Sequence, residues 1–181
     1  MEIQKRSNPA PLGLLGFGMT TILLNLHNAN IINLTIVIIA MGVALGGLAQ
    51  IIAGIVEFKL GNTFGGTAFT AYGLFWISLV LIWTNKDNPV QDPKSMGFYL
   101  LLWGVFTIFM FIGTLKHNTI SKIVFGSLAL LFVLLAIGDF TENNTITKIA
   151  GYVGIICGLS AIYNAVGQIV NEEFGKKILP L

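Results

Sequence analysis

The side chains able to do chemistry are few in this sequence, and most are amides and hydroxyls. In the stretch "NPAPLGLLGFGMTTILLNLHNA", Phe17, Thr21, Asn25 and Asn28 recur at helical spacing, which puts them on one stripe. Gln50 shares a helical face with Gly42, Gly46, Ala53 and Glu57, and Asn164 shares one with Gly154, Cys157, Ala161 and Gln168. Amides and hydroxyls donate and accept hydrogen bonds at neutral pH without ionising. Their chemistry is therefore the solvation of a polar solute or the joining of helices, and the stripe fits either a pathway wall or interhelical packing.

Covalent and metal chemistry have little to work with. His27 and His117 fall on opposite sides of the predicted membrane, so they cannot meet in a metal cluster. Cys157 is the single cysteine, which rules out an intrachain disulfide. There is no Ser–His–Asp set, Walker loop, dinucleotide fingerprint or paired intramembrane carboxylate. These features argue against an enzyme, and neither cofactor nor metal is expected.

The elements that must hold these residues are membrane helices. Of 181 residues, 55% are hydrophobic and 10% charged, with a mean hydropathy of +0.82, whereas soluble domains are about a quarter charged. Six apolar blocks, near 10–29, 32–57, 64–84, 96–115, 120–138 and 147–170, each approach the roughly 20 residues a bilayer crossing needs. They are too long for barrel strands and do not alternate. The predicted fold is an all-α integral membrane domain spanning 1–181, surrounded by lipid, with no internal repeat. A net charge of +2 gives no basis for nucleic-acid binding. "MEIQKRS" is basic, but the apolar run after it has no cleavage pattern.

Lysine and arginine set the orientation. Lys5, Arg6, Lys59, Lys116, Lys122, Lys176 and Lys177 fall on one side; Lys86, Lys94 and Lys148 fall on the other. The excess predicts cytoplasmic N- and C-termini in a multi-pass plasma-membrane protein. Locally, Asn8 is expected to cap the first helix, with Pro9 in its first turn. The segments "EFKLGNTFGG" and "TNKDNPVQDPKS" read as loops, and the glycine faces as close helix contacts. Glu57 is expected at the interface, offset by Lys59.

"NPAPLGLLGFGMTTILLNLHNA", "GNTFGGTAFTAYGLFW", "LWGVFTIFMFIGTLK" and "NEEFG" resemble the acetate uptake transporter family across essentially the whole chain. The resemblance implies six transmembrane helices, a homohexamer with one pathway per protomer, and transport of acetate and related carboxylates, by proton symport or through a channel. It also implies a narrow point formed by Phe17, Tyr72 and Leu128, with Ala161 at a small position beside it. Each of the three lies about eight residues, or roughly 12 Å, from the same end of its span, near mid-membrane. Gln168 stands where some members carry glutamate.

On this reading, polar vestibules hold Asn25, His27 and Asn28 outside and Asn8, Gln50 and Asn62 inside. Thr20, Thr21, Ala161 and Asn164 complete the expected lining. A bare carboxylate is costly to bury, so the partner is a small carboxylate accompanied by a proton. A passive channel for a neutral solute such as urea or ammonia is the alternative; a non-transporting membrane sensor is a third reading.

Overall fold

The computed structural model describes residues 7–85 and 92–181. Lys5, Arg6 and Lys86 from the charge count lie outside these residues, as does Pro89. Six helices are long and apolar enough to cross a membrane: α1 Ala10–Asn28, α2 Ile36–Lys59, α3 Thr63–Thr84, α4 Pro93–Thr114, α5 Thr119–Thr141 and α6 Asn144–Glu173. Each predicted block becomes one helix, which makes the chain a multi-pass membrane protein. α1 packs chiefly on α6, α2 on α3, and α5 joins α4 to α6. Asn8 Nδ2 donates to Gln168 Oε1 at 2.9 Å, so the start of α1 and the end of α6 share one side. We call this the terminal side.

The breaks are shorter than the polar residues alone suggest, because asparagine and aspartate caps let the helices run into them. "EFKLGNTFGG" was read as a loop, but only Leu60, Gly61 and Asn62 separate α2 from α3. Gly61 turns the chain with φ of +81°, a conformation open to a residue without Cβ. Asn62 Oδ1 then accepts the Gly65 N–H at 3.0 Å. Pro93 opens α4 instead of lying in a loop; its missing N–H costs nothing there. Asp92 caps that turn, accepting from the Lys94 and Ser95 backbones. The Ser95 hydroxyl also donates to it at 2.8 Å, and this bond above all, helped by the backbone ones, holds the Asp92 carboxyl below its ordinary range. At α1 the cap differs from expectation. Pro9 occupies the cap position, while Asn8 Oδ1 accepts the Ala10 N–H at 3.0 Å.

Close packing of α1 on α6 depends on glycine. A Cβ on Gly18 would lie 2.7 Å from the Gly158 carbonyl oxygen, and one on Gly158 would lie 2.7 Å from the Gly18 oxygen. Gly154 leaves the space occupied by the Asn25 side chain. Gly154 thus packs helices, as its spacing predicts, and Gly18 and Gly158 add a contact of the same kind.

Within α2, Gly42–Ala49 forms a π-helical stretch that the sequence reading did not anticipate. Its wider turns set Gly46 against the Trp76 indole and Thr20. Beyond α6 the chain doubles back. Asn171 Oδ1 accepts from the Ile178 and Leu179 backbones, and Asn171 Nδ2 donates to the Leu179 carbonyl. Tyr163 adds a hydrogen bond to the Pro180 carbonyl at 3.0 Å.

Candidate functional site

Two cavities lie in line within the bundle. The larger, about 330 Å³, opens on the terminal side and is walled by the terminal-side halves of α1, α2, α3, α5 and α6. The smaller, about 30 Å³, lies beyond it and is almost wholly apolar. Phe17, Tyr72 and Leu128 line both cavities, and no other described residue does. They are 6%, 3% and 3% exposed, and the Phe17 and Tyr72 ring centroids are 6.1 Å apart. Three side chains from three helices therefore stand between the two spaces.

Each is held there by its own surroundings. Phe17 lies on the buried face of α1, two turns above its start. Tyr72 packs among Trp103 and Phe106 of α4 and Phe125 of α5, with centroids 5.6–6.2 Å apart. Its hydroxyl meets the Thr107 hydroxyl at 2.9 Å. Leu128 belongs to the buried face of α5 with Val124 and Leu131.

Among the described residues, the larger cavity has a polar floor without lysine or arginine. Asn164 Nδ2 donates to Ser121 Oγ at 3.1 Å, and Asn164 Oδ1 accepts from Gln168 Nε2 at 3.1 Å and Asn118 Nδ2 at 3.4 Å. Gln168 in turn accepts from Asn8. Gln50 is 1% exposed, and its Nε2 donates to the Gly46 carbonyl at 2.7 Å. A carbonyl only accepts, so the Gln50 orientation is fixed and Oε1 has no protein partner among the described residues.

Glu57 departs from the interfacial placement read from the sequence. It is 4% exposed and lines the larger cavity, with Oε2 accepting from Asn62 Nδ2 at 2.8 Å, while Lys59 is exposed. A Cβ on Gly65 would come 3.0 Å from the Glu57 carboxyl carbon, which places the acid by the first turn of α3. The positive end of that helix favours an anion there. Its register with Gln50 and Ala53 was the available signal. Phe64, Phe125, His117 and Asn118 also wall this cavity and were not foreseen as lining.

The remaining expected lining residues divide. Thr21 and Asn25 border the smaller cavity, and Asn25 Nδ2 donates to the Thr21 carbonyl at 2.8 Å. Thr20, Asn28 and Ala161 border neither cavity. Thr20 donates to the Gly16 carbonyl at 2.8 Å, Asn28 donates to Asn25 Oδ1 at 3.1 Å, and Ala161 is fully buried. Asn8 reaches the larger cavity through Gln168. His27 Nδ1 lies 3.2 Å from the Ile32 carbonyl oxygen.

The family model for GPR1/FUN34/yaaH matches residues 1–178. The chain belongs to this family. The resemblance seen in the motifs is thus shown at the level of the whole chain, and the named transporters among its relatives place it with transport proteins rather than enzymes. It is 55% identical over 180 residues to the succinate-acetate/proton symporter SatP of Escherichia coli, covering 98% of this chain and 96% of that one. The fold superposes on the structure of the bacterial acetate channel SatP with a TM-score of 0.95 at 54% identity, covering 98% and 99% of the two chains. It is also 39% identical over 181 residues to ammonia transport outward protein 2 of Saccharomyces cerevisiae, covering 94% of this chain and 64% of that one.

Proposed function

We propose that this protein carries acetate and related short carboxylates, succinate among them, across the plasma membrane, with Phe17, Tyr72 and Leu128 as the constriction. The observation that carries the reading is the position of these three side chains, which alone border both cavities. The polar floor of the larger cavity would receive the carboxyl group. The apolar ring suits a molecule with a short apolar end and disfavours hydrated ions. Because a bare carboxylate is expensive to desolvate, a proton travels with it. The charge bias puts the terminal side in the cytoplasm, and the whole-chain likeness supports a homohexamer with one pathway per protomer.

Passage of a small neutral solute, ammonia above all, is the second reading, favoured by the relative named for ammonia transport. Counterflow separates the two. Proteoliposomes loaded with unlabelled acetate should take up labelled external acetate faster than empty vesicles, and faster than they pass ammonia or urea. Ammonia flux raised by the protein without acetate counterflow would replace the first reading with the second.

A further inference from the structure

Tyr72 has the only polar atom in the ring, and its surroundings decide what that atom can do. The phenol oxygen lies 2.9 Å from Thr107 Oγ1, and both side chains are buried. Thr107 Oγ1 lies 2.7 Å from the Trp103 carbonyl oxygen one helical turn back. A carbonyl accepts only, so the single Thr107 hydroxyl proton is given to Trp103, and Tyr72 must be the donor to Thr107. The Tyr72 proton therefore points into α4, and none is left to solvate a passing carboxylate. The same bond ties the aromatic ring of α3 to a helix that borders neither cavity.

We propose that Thr107 is a specificity-determining positioning residue: its hydroxyl holds Tyr72 in the constriction and so sets the largest acid that passes. The inference rests on the ring reading above. The aromatic neighbours Trp103 and Phe106 confine the Tyr72 ring sideways at 6.0 and 5.6 Å, but dispersion contacts hold a direction weakly compared with a buried hydrogen bond. Thr107 is fully buried, so valine at this position keeps the shape while removing the acceptor for Tyr72 and, within α4, the bond to the Trp103 carbonyl.

The test measures the ratio of butyrate to acetate uptake in proteoliposomes for Thr107→Val, Thr107→Ser, Tyr72→Phe and the Thr107→Val/Tyr72→Phe double variant, with Phe17→Ala as the control on the ring. Loss of one buried hydrogen bond corresponds to about a fivefold change in population. Thr107→Val and Tyr72→Phe should each raise the ratio about fivefold, and the double variant should go no further, because both remove the same Tyr72–Thr107 bond. Thr107→Ser should keep the wild-type ratio. Tyr72→Phe leaves the Thr107–Trp103 bond intact, so it reports on the tether even if Thr107→Val fails to fold. Uptake of both acids reduced alike, with the ratio unchanged in Thr107→Val and Tyr72→Phe, would overturn the inference, as would additive effects in the double variant. If Phe17→Ala shifts the ratio and these variants do not, the ring stands and the role of Thr107 falls. If Phe17→Ala also leaves the ratio unchanged, the ring reading itself fails.

Discussion

Phe17→Ala should change which form of acetate crosses. The smaller cavity beyond the ring, about 30 Å³ against about 330 Å³ for the larger, is small and almost wholly apolar. A carboxylate arriving there surrenders nearly all its hydration. The penalty for a buried carboxylate runs from several kcal/mol after relaxation to about 20 kcal/mol in the idealised dry limit, and a small apolar space lies towards the dry end. The neutral acid takes a cheaper route. With a carboxyl pKa of roughly 4.3, protonation at pH 7 costs about 3.7 kcal/mol. Burying the neutral carboxyl adds roughly 1–3 kcal/mol. Wild-type uptake at fixed, subsaturating total acetate should therefore fall about tenfold per pH unit between pH 5.5 and 7.5. Removing the Phe17 phenyl joins the small cavity to one of about 330 Å³ and admits water. The anion's penalty then drops to the lower end of its range, and the slope should shrink below about threefold per unit. The assay is the initial rate of labelled acetate entry into proteoliposomes, with the rate into protein-free vesicles subtracted. A flat wild-type profile would refute the argument from desolvation. Equal, steep slopes in both proteins would refute the assignment of Phe17 to the barrier.

Other outcomes test the architecture. Gly158→Val places a Cβ 2.7 Å from the Gly18 carbonyl oxygen, a backbone atom that cannot yield without moving α1; overpacking of this kind costs about 1–3 kcal/mol, and the Tm in detergent should fall, whereas an unchanged Tm would contradict the close contact. Asn62→Ala removes both the α3 cap and the donor to Glu57; the cap alone is worth about 1 kcal/mol, so thermal stability should drop more than in Glu57→Gln, which keeps an acceptor for Asn62. The proposed hexamer predicts a detergent-solubilised particle of six 19.6 kDa chains by native mass spectrometry, and a monomer or dimer would contradict it.

Much of the fold was legible because a bilayer imposes length and polarity on every span. The six blocks could be read from hydropathy, and Gly42, Gly46 and Gly154 of α2 and α6 from their spacing, because helix contacts in lipid depend on small residues. Burial was harder to read. Glu57 looked interfacial beside Lys59, yet its register with Gln50 carries it inwards, and the short Leu60–Asn62 turn supplies Asn62 as its donor. The π stretch Gly42–Ala49 left no periodic signature, since glycine-rich apolar sequence accommodates either helix. Phe64 and Phe125 looked like ordinary apolar residues; which of them meet a cavity is set by how α3 and α5 rotate, a tertiary choice. Motif resemblance singled out Phe17, Tyr72 and Leu128, because mid-span depth alone fits any residue at that level. Thr107 carried no signal, since a threonine bonded to its own helix resembles any other until Tyr72 is placed beside it.

Joint movement of acetate and a proton through the protein is directly measurable. Proteoliposomes enclosing a pH-sensitive dye, held at an external pH well above the carboxyl pKa of about 4, report labelled acetate and lumenal pH in the same sample. Protein-dependent acetate entry should be accompanied by acidification, with one proton for each acetate. Acetate entry without acidification would contradict the proton, and entry no faster than in empty vesicles would contradict the substrate.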